Sequence, residues 1–181
     1  MNVKRLTITG LVAAGVLASG TALASPASAD TRTYAPGSGV WPVLRQGQTS
    51  ENVRAAQWFL NCEGHRVATP SHFGPKTRAA VLAFQRNYLP WGADGNVGAY
   101  TWQSFVYHAA PTGYGQRNDC VKALQVLLNK WRYSDDLPIT GYHGARTKKK
   151  LIRFQANHGL SATGVPDIRT YNKLVSTPAG A

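Results

Sequence analysis

One short pattern occurs twice in this chain, and its recurrence constrains the fold more than any other feature. Phe73-Gly74-Pro75-Lys76-Thr77, followed by Val81 and Phe84-Gln85, is echoed by His143-Gly144-Ala145-Arg146-Thr147, followed by Leu151 and Phe154-Gln155. The Gly, Thr, aliphatic, Phe and Gln positions all recur at one constant offset. Upstream, Val53, Gln57 and Leu60 return as Val121, Gln125 and Leu128, at an offset slightly shorter than that one. Downstream, Gly95, Thr101, Trp102 and Phe105 return as Gly164, Thr170, Tyr171 and Leu174, at an offset between the two. Three blocks in one order, with offsets that drift as loop insertions make them drift, indicate a duplicated module.

Between these anchors the pattern is helical. Ser50 is placed to cap a helix, with Glu51 favourable in its first turn. Val53, Ala56 and Leu60 form one stripe, and Asn61 to Gly64 end it. Gly74-Pro75 opens a second helix, because a first-turn proline gives up an N–H that has no partner there. Thr77, Ala80, Val81, Phe84 and Tyr88 share one face of that helix, and Pro90 stops it. A short third helix after Asp94 to Gly98 carries Trp102, Phe105 and Val106. Copy two repeats the plan, with Asp119 and Asp167 as caps. Its three helices carry Val121, Leu124, Gln125 and Leu128, then Thr147, Leu151, Phe154 and His158, then Tyr171 and Leu174.

Alternating runs are short, so the expected class is all-α: two tandem three-helix modules with glycine-rich loops. Phe84 and Phe154 are read as core, and Trp41, Trp58 and Trp131 as packing. Gln57, Gln85, Gln125 and Gln155 recur at matched positions. They fit loop-tying hydrogen bonds or ligand contacts, and the first reading is preferred.

Residues 1–29 read as a secretory signal peptide. Lys4 and Arg5 precede a weakly apolar stretch from Leu6 to Ala24, and Ala27-Ser28-Ala29 sets up cleavage before Asp30. A flexible lead-in is expected over 30–42, module one over 43–108, a linker over 109–116, module two over 117–175 and a tail over 176–181. No later stretch is apolar enough to span a bilayer, so no transmembrane anchor is expected after cleavage. Modules of about 60 to 70 residues sit near the lower limit for independent folding, so the two should lean on each other or on a crosslink. Cys62 ends the first helix of copy one and Cys120 begins that of copy two. In an exported chain this pair is expected to form a disulfide stapling module to module, the alternative being two buried thiols.

The chain holds 20 basic and 8 acidic residues, a formal charge of +12 that falls to +10 without Lys4 and Arg5. Such an excess favours polyanions, and outside a cell the acidic polymers of an envelope lie nearest, with no specific nucleic acid implied. Lys148 and Lys149 read as a solvated face, and Lys150 as a stem beside the core.

The combination resembles the type 1 peptidoglycan-binding domain. It carries Gln in helix one, Gly-Pro-x-Thr opening helix two, Phe-Gln near its end and Thr-Trp in helix three. The resemblance runs from about Val43 to Phe105 and again from Arg117 to Leu174. Copy one has Pro70-Ser71 where the family usually has Asp-Gly, and copy two has His143 and Ala145 in place of the aromatic and the proline. The resemblance implies a secreted, monomeric, non-catalytic protein that binds peptidoglycan through two modules, with wall polyanions as further partners. Linking two weak modules that face a repetitive polymer raises the effective concentration of the second.

The candidate ligand-binding residues are Arg78, Arg86, Asn87, Trp91, Arg153, Asn157 and His158. Arginine pairs bidentately with carboxylates, and an exposed Trp91 between Pro90 and Gly92 would offer a face to a sugar ring. The family often accompanies wall hydrolases, but the chain carries no zinc spacing among its five histidines, no Gly-x-Ser-x-Gly turn and few carboxylates. No catalytic residue, metal or cofactor is expected. A secreted basic protein that binds an extracellular protein partner is the other reading. Leu137-Pro138-Ile139-Thr140-Gly141 matches a sorting-peptide motif, but the following residues are basic rather than apolar, and the repeat register makes it the loop before a helix.

Overall fold

The computed structural model describes residues 41–109, 112–132 and 135–176. The expected signal peptide over 1–29, the lead-in up to residue 40 and the tail from residue 177 lie outside the described residues. The described residues form six helices: α1 (Glu51–Cys62), α2 (Pro75–Tyr88), α3 (Ala99–Ala109), α4 (Asp119–Asn129), α5 (Ala145–Asn157) and α6 (Ile168–Ser176). A 3-10 turn, Pro90–Gly92, follows α2. Strand pairing among the described residues is limited to isolated bridges, so the class is all-α. None of the described helices is long and apolar enough to cross a membrane.

The helix ends follow the residues that cap them. Ser50 Oγ accepts from the Val53 N–H, and Asp167 Oδ1 accepts from the Thr170 N–H. At α4 the expected cap is off by one. Asn118 Oδ1 accepts from Val121 N at 2.9 Å, while Asp119 is the first helical residue and pairs with Lys122 at 2.8 Å. Asn118 wins because the capping side chain must sit on the extended residue just outside the helix.

The central element is α1 packed antiparallel on α4. Cys62 at the end of α1 is bonded to Cys120 at the start of α4, and Asn52 at the start of α1 accepts from Lys130 just past the end of α4. The stripes read from sequence are too narrow for both helices. Ala55 and Phe59 of α1, and Ala123, Val126 and Leu127 of α4, are buried as well. A helix that is apolar nearly all round needs two partners. Each of the pair faces its own module on one side and the other module on the opposite side. Phe59 shows this directly. Its ring lies 5.6 Å from Phe105 in its own copy and 5.9 Å from Tyr171 in the other. The two modules therefore share one continuous core.

Within that core the repeated phenylalanines keep matching surroundings. Phe84 packs on Tyr88 at 4.8 Å, and its counterpart Phe154 packs on His158, which stands in the place of Tyr88, at 4.4 Å. Trp41 and Trp131 are buried. Trp41 and Pro42, assigned to the lead-in from sequence, belong to the packed fold. The Trp41 ring stacks on Trp102, whose indole N–H donates to the Pro42 carbonyl. The linker is also docked. Buried Thr112 shares a hydrogen bond with the Tyr171 hydroxyl, and its carbonyl accepts from His143 Nδ1. His143 fills the place of Phe73 as a buried ring, and burial pulls its pKa down.

The pairing of α1 with α4 is close to two-fold symmetric. The ion pair Arg54–Glu51 recurs in the second copy as Lys122–Asp119. In the same register, Cys62 corresponds to Lys130 and Asn52 to Cys120. The disulfide at one end of the helix pair and the Lys130–Asn52 hydrogen bond at the other thus occupy equivalent places.

Candidate ligand clefts

The loops that shape the surface are fixed by four buried side chains with one job. Gln57 donates to the His72 carbonyl at 2.8 Å and to Thr77 Oγ1 at 3.1 Å, and accepts from Ser71 N. Gln125 donates to the Tyr142 carbonyl and Thr147 Oγ1, both at 3.1 Å, and accepts from Gly141 N at 3.0 Å. Gln85 and Gln155 do the same one helix later. They accept from Gly95 N and Gly164 N and donate to Thr101 and Thr170. Each amide ties a loop to the first turn of the next helix and leaves no donor for a ligand. The loop-tying reading of the glutamines holds.

Asn61 and Asn129 pin the same loops from the other side. Each brackets one residue of its loop with two hydrogen bonds, Val67 in the first copy and Leu137 in the second. This clamps the segment Leu137–Gly141, with its sorting-peptide pattern, at both ends.

Between each pinned loop and the helix after it lies a cleft. The first, of about 760 Å³, is lined by Trp58, Asn61, Arg66, Lys76 and Ala80, with Asp119 and Lys122 reaching over from α4. The second, of about 680 Å³, is lined by Asp135, Asp136, Arg146, Lys149, Lys150 and Arg153. In the repeat register, Lys76 corresponds to Arg146, Ala79 to Lys149 and Ala80 to Lys150. The chain thus carries one cleft twice with different linings. The first has small side chains on its floor and an indole wall, where Lys122 Nζ sits 4.3 Å from the Trp58 ring centre. The second is bordered by cations. Lys150 is held inside, donating to Asn129 Oδ1 and the Asp135 carbonyl, 3.8 Å from Asp136. Burial lowers its pKa, and Asp136 and Asp135 oppose that shift. Indole faces can stack on sugar rings, and guanidinium and ammonium groups pair with carboxylates, so either lining suits a glycopeptide.

The residues singled out from sequence fall in three places. Arg153 lines the second cleft. Arg86 and Asn87 are exposed on the last turn of α2, and Trp91 follows in the 3-10 turn with 94% of its surface open; Asn157 is exposed at the end of α5. Arg78 and His158 make contacts within the fold. Arg78 donates to the Asp94 carbonyl and roofs Gly95, where an added Cβ would lie 2.9 Å from its Cγ. His158 donates to the Phe154 carbonyl and meets the Trp131 ring edge to face, 4.4 Å between centroids. Trp58, read as packing, is half-buried in a cleft wall, Lys149, read as part of a solvated face, borders the second cleft, and Lys76, Lys122 and Arg146 carry no sequence assignment. The available signal was the basic residue that precedes Thr in both copies, at Lys76 and Arg146.

Comparison with known proteins identifies the family. The model of the peptidoglycan binding domain family matches residues 49–104 and again 117–174, well over half of the chain. The N-acetylmuramoyl-L-alanine amidase CwlL of Bacillus licheniformis is 28% identical over 130 residues, which is 69% of this chain and 35% of the amidase. The chain thus spans about a third of that curated relative. A crystal structure of a peptidoglycan-binding protein from Clostridioides difficile, in complex with glutamine hydroxamate, is 41% identical over 35% of this chain and 40% of its own, with a TM-score of 0.34. The chain belongs to the peptidoglycan binding domain family, with two copies of the domain in tandem.

Proposed function

We propose that this is a secreted, non-catalytic protein that attaches to bacterial cell-wall peptidoglycan through its two repeat-related clefts. The observation that carries the reading is the recurrence of a pinned loop, a cleft and a basic residue (Lys76 and Arg146) in both copies. The cation excess extends the partners to acidic wall polymers. The interrepeat disulfide fits an oxidising, extracellular setting. Trp91, Arg86 and Asn87 form a second exposed surface, with Trp91 as a sugar platform and Arg86 as a carboxylate partner. The chain acts as a monomer in which the clefts are held at a fixed spacing by the shared core, so avidity depends on whether the wall presents sites at that spacing.

The test is cosedimentation of the protein with purified wall sacculi at low and high salt. Binding that survives high salt, and is weakened by Trp58→Ala and by Lys76→Ala with Arg146→Ala, supports cleft recognition. Binding that vanishes at high salt reduces the reading to charge attraction. Absence of cosedimentation at any salt refutes it and favours a protein partner.

A further inference from the structure

We propose that the crevice between the two modules, closed by Lys130, is a binding site for an oxyanion, a carboxylate or a phosphate group. It is a pocket of about 220 Å³, separate from the first cleft and adjoining the second at Asp136. Its wall comes from α1 through Glu51 and Arg54, from the end of α4 through Lys130, and from the chain beyond through Arg132 and Asp136.

The case rests on an ammonium that the protein itself under-serves. Lys130 is 7% exposed. Among the described residues, Asn52 Oδ1 at 2.9 Å is its hydrogen-bond partner, and no carboxylate lies within ion-pair distance of it. An ammonium has three N–H donors, and among the described residues Asn52 meets one of them. The acids on its wall already face other cations, Glu51 within the crevice and Asp136 outside it. Glu51 lies 3.8 Å from Arg54, and Asp136 lies 3.8 Å from Lys150. Lys130 and Arg132 remain as surplus positive charge on the crevice. A buried charge is normally paired or neutralised, and here burial pulls the Lys130 pKa to about 8.

Symmetry sharpens the point. The place equivalent to Lys130 holds Cys62, half of the disulfide that closes the opposite end of the helix pair. One end is sealed covalently, while the other keeps a pocket with a cation at its base. A bare alkyl residue would pack there at lower cost if packing were the sole requirement. The source of the oxyanion, a peptide carboxylate or a wall phosphate, is the part that rests on the cell-wall reading.

The experiment follows the Lys130 side chain by NMR in the intact protein carrying labelled lysine. Inorganic phosphate, a short peptide with a free C-terminal carboxylate, and the same peptide as its C-terminal amide are titrated in turn. The expected result is saturable movement of the Lys130 signal, with its titration midpoint raised by about one unit, for phosphate or the free-acid peptide and none for the amide. Saturation by phosphate alone assigns the site to phosphate, and by the acid alone to carboxylates. Lys130→Met should abolish the saturable shifts at neighbouring Asn52 and Arg132, and Lys130→Arg should retain them. A Lys130 signal that none of the probes moves, or neighbouring shifts unchanged in Lys130→Met, overturns the site. Neither result bears on sacculus binding by the two clefts, which is measured separately.

Discussion

Replacing Gln125 with leucine removes the means by which one loop is fastened, and its cost can be worked from the contacts. Gly141 N loses its acceptor at 3.0 Å, and the Tyr142 carbonyl and Thr147 hydroxyl lose a donor at 3.1 Å. The amide N–H is the expensive loss. A buried donor left unmatched costs about 1–3 kcal/mol, and the carbonyl and hydroxyl add a smaller amount because each has other ways to be satisfied. Leucine fills a similar volume, so little cavity is added. The expected loss is therefore about 2–4 kcal/mol, a large fraction of the stability of a domain this size. Urea unfolding followed by tryptophan fluorescence measures it as a lower midpoint at unchanged slope. Gln125→Glu separates the two halves of the contact. It keeps an acceptor for Gly141 N but turns a carboxylate toward the Tyr142 carbonyl. Burial raises that carboxyl's folded pKa above its unfolded value near 4.3, so the variant loses stability as pH rises past roughly 4 and recovers it in acid. Gln57, Gln85 and Gln155 are internal replicates, and each should behave alike. A loss below about 0.5 kcal/mol for Gln125→Leu would refute the fastening role.

Four further outcomes follow. Cys62→Ser with Cys120→Ser opens a loop spanning 58 residues, which the chain-entropy relation values at about 4 kcal/mol in urea unfolding; a loss under about 1 kcal/mol would mean that helix packing alone holds the modules together. Lys130 binds its proton less tightly folded than unfolded, so stability rises with pH between about 8 and 10.5; Lys130→Met should remove that rise and gain up to about 3 kcal/mol at pH 7, read from paired melts. His143 is likewise held neutral by burial, so the fold loses stability as pH falls through about 6.5, and His143→Phe should flatten that dependence. Trp91→Ala should leave stability within about 0.5 kcal/mol and lower sacculus retention, whereas unchanged retention would remove Trp91 from the binding surface.

Much of the fold was legible because the repeat carries its own punctuation. Gly74-Pro75 and Gly144 start helices, Thr77 and Thr147 face the buried glutamines, and Phe84 and Phe154 sit two turns further along the same faces. The disulfide was legible too, from two cysteines at opposite ends of equivalent helices, where a bond has to join one module to the other. The shared core was harder to see. Its sign was the near-continuous apolar run of α4, where Val126 and Leu127 fall off the expected stripe, and Phe59 in α1. A single stripe explains a helix with one partner, and these two helices have two each. The clefts were harder still. Trp58 and Lys122 stand on different modules and meet through tertiary packing, so no local spacing joins them. The second setting of Arg78 was also out of reach, because charge on a helix face carries no label for what lies beneath it, here the backbone of Gly95.

The near-dyad between α1 and α4 has a consequence for what half of this chain would do by itself. A lone repeat would present its first helix with the neighbour-facing apolar side bare, and that side is already shaped to meet a copy of its own kind running the other way. Such a fragment should self-associate into a homodimer, which is the arrangement from which gene fusion would yield the present chain.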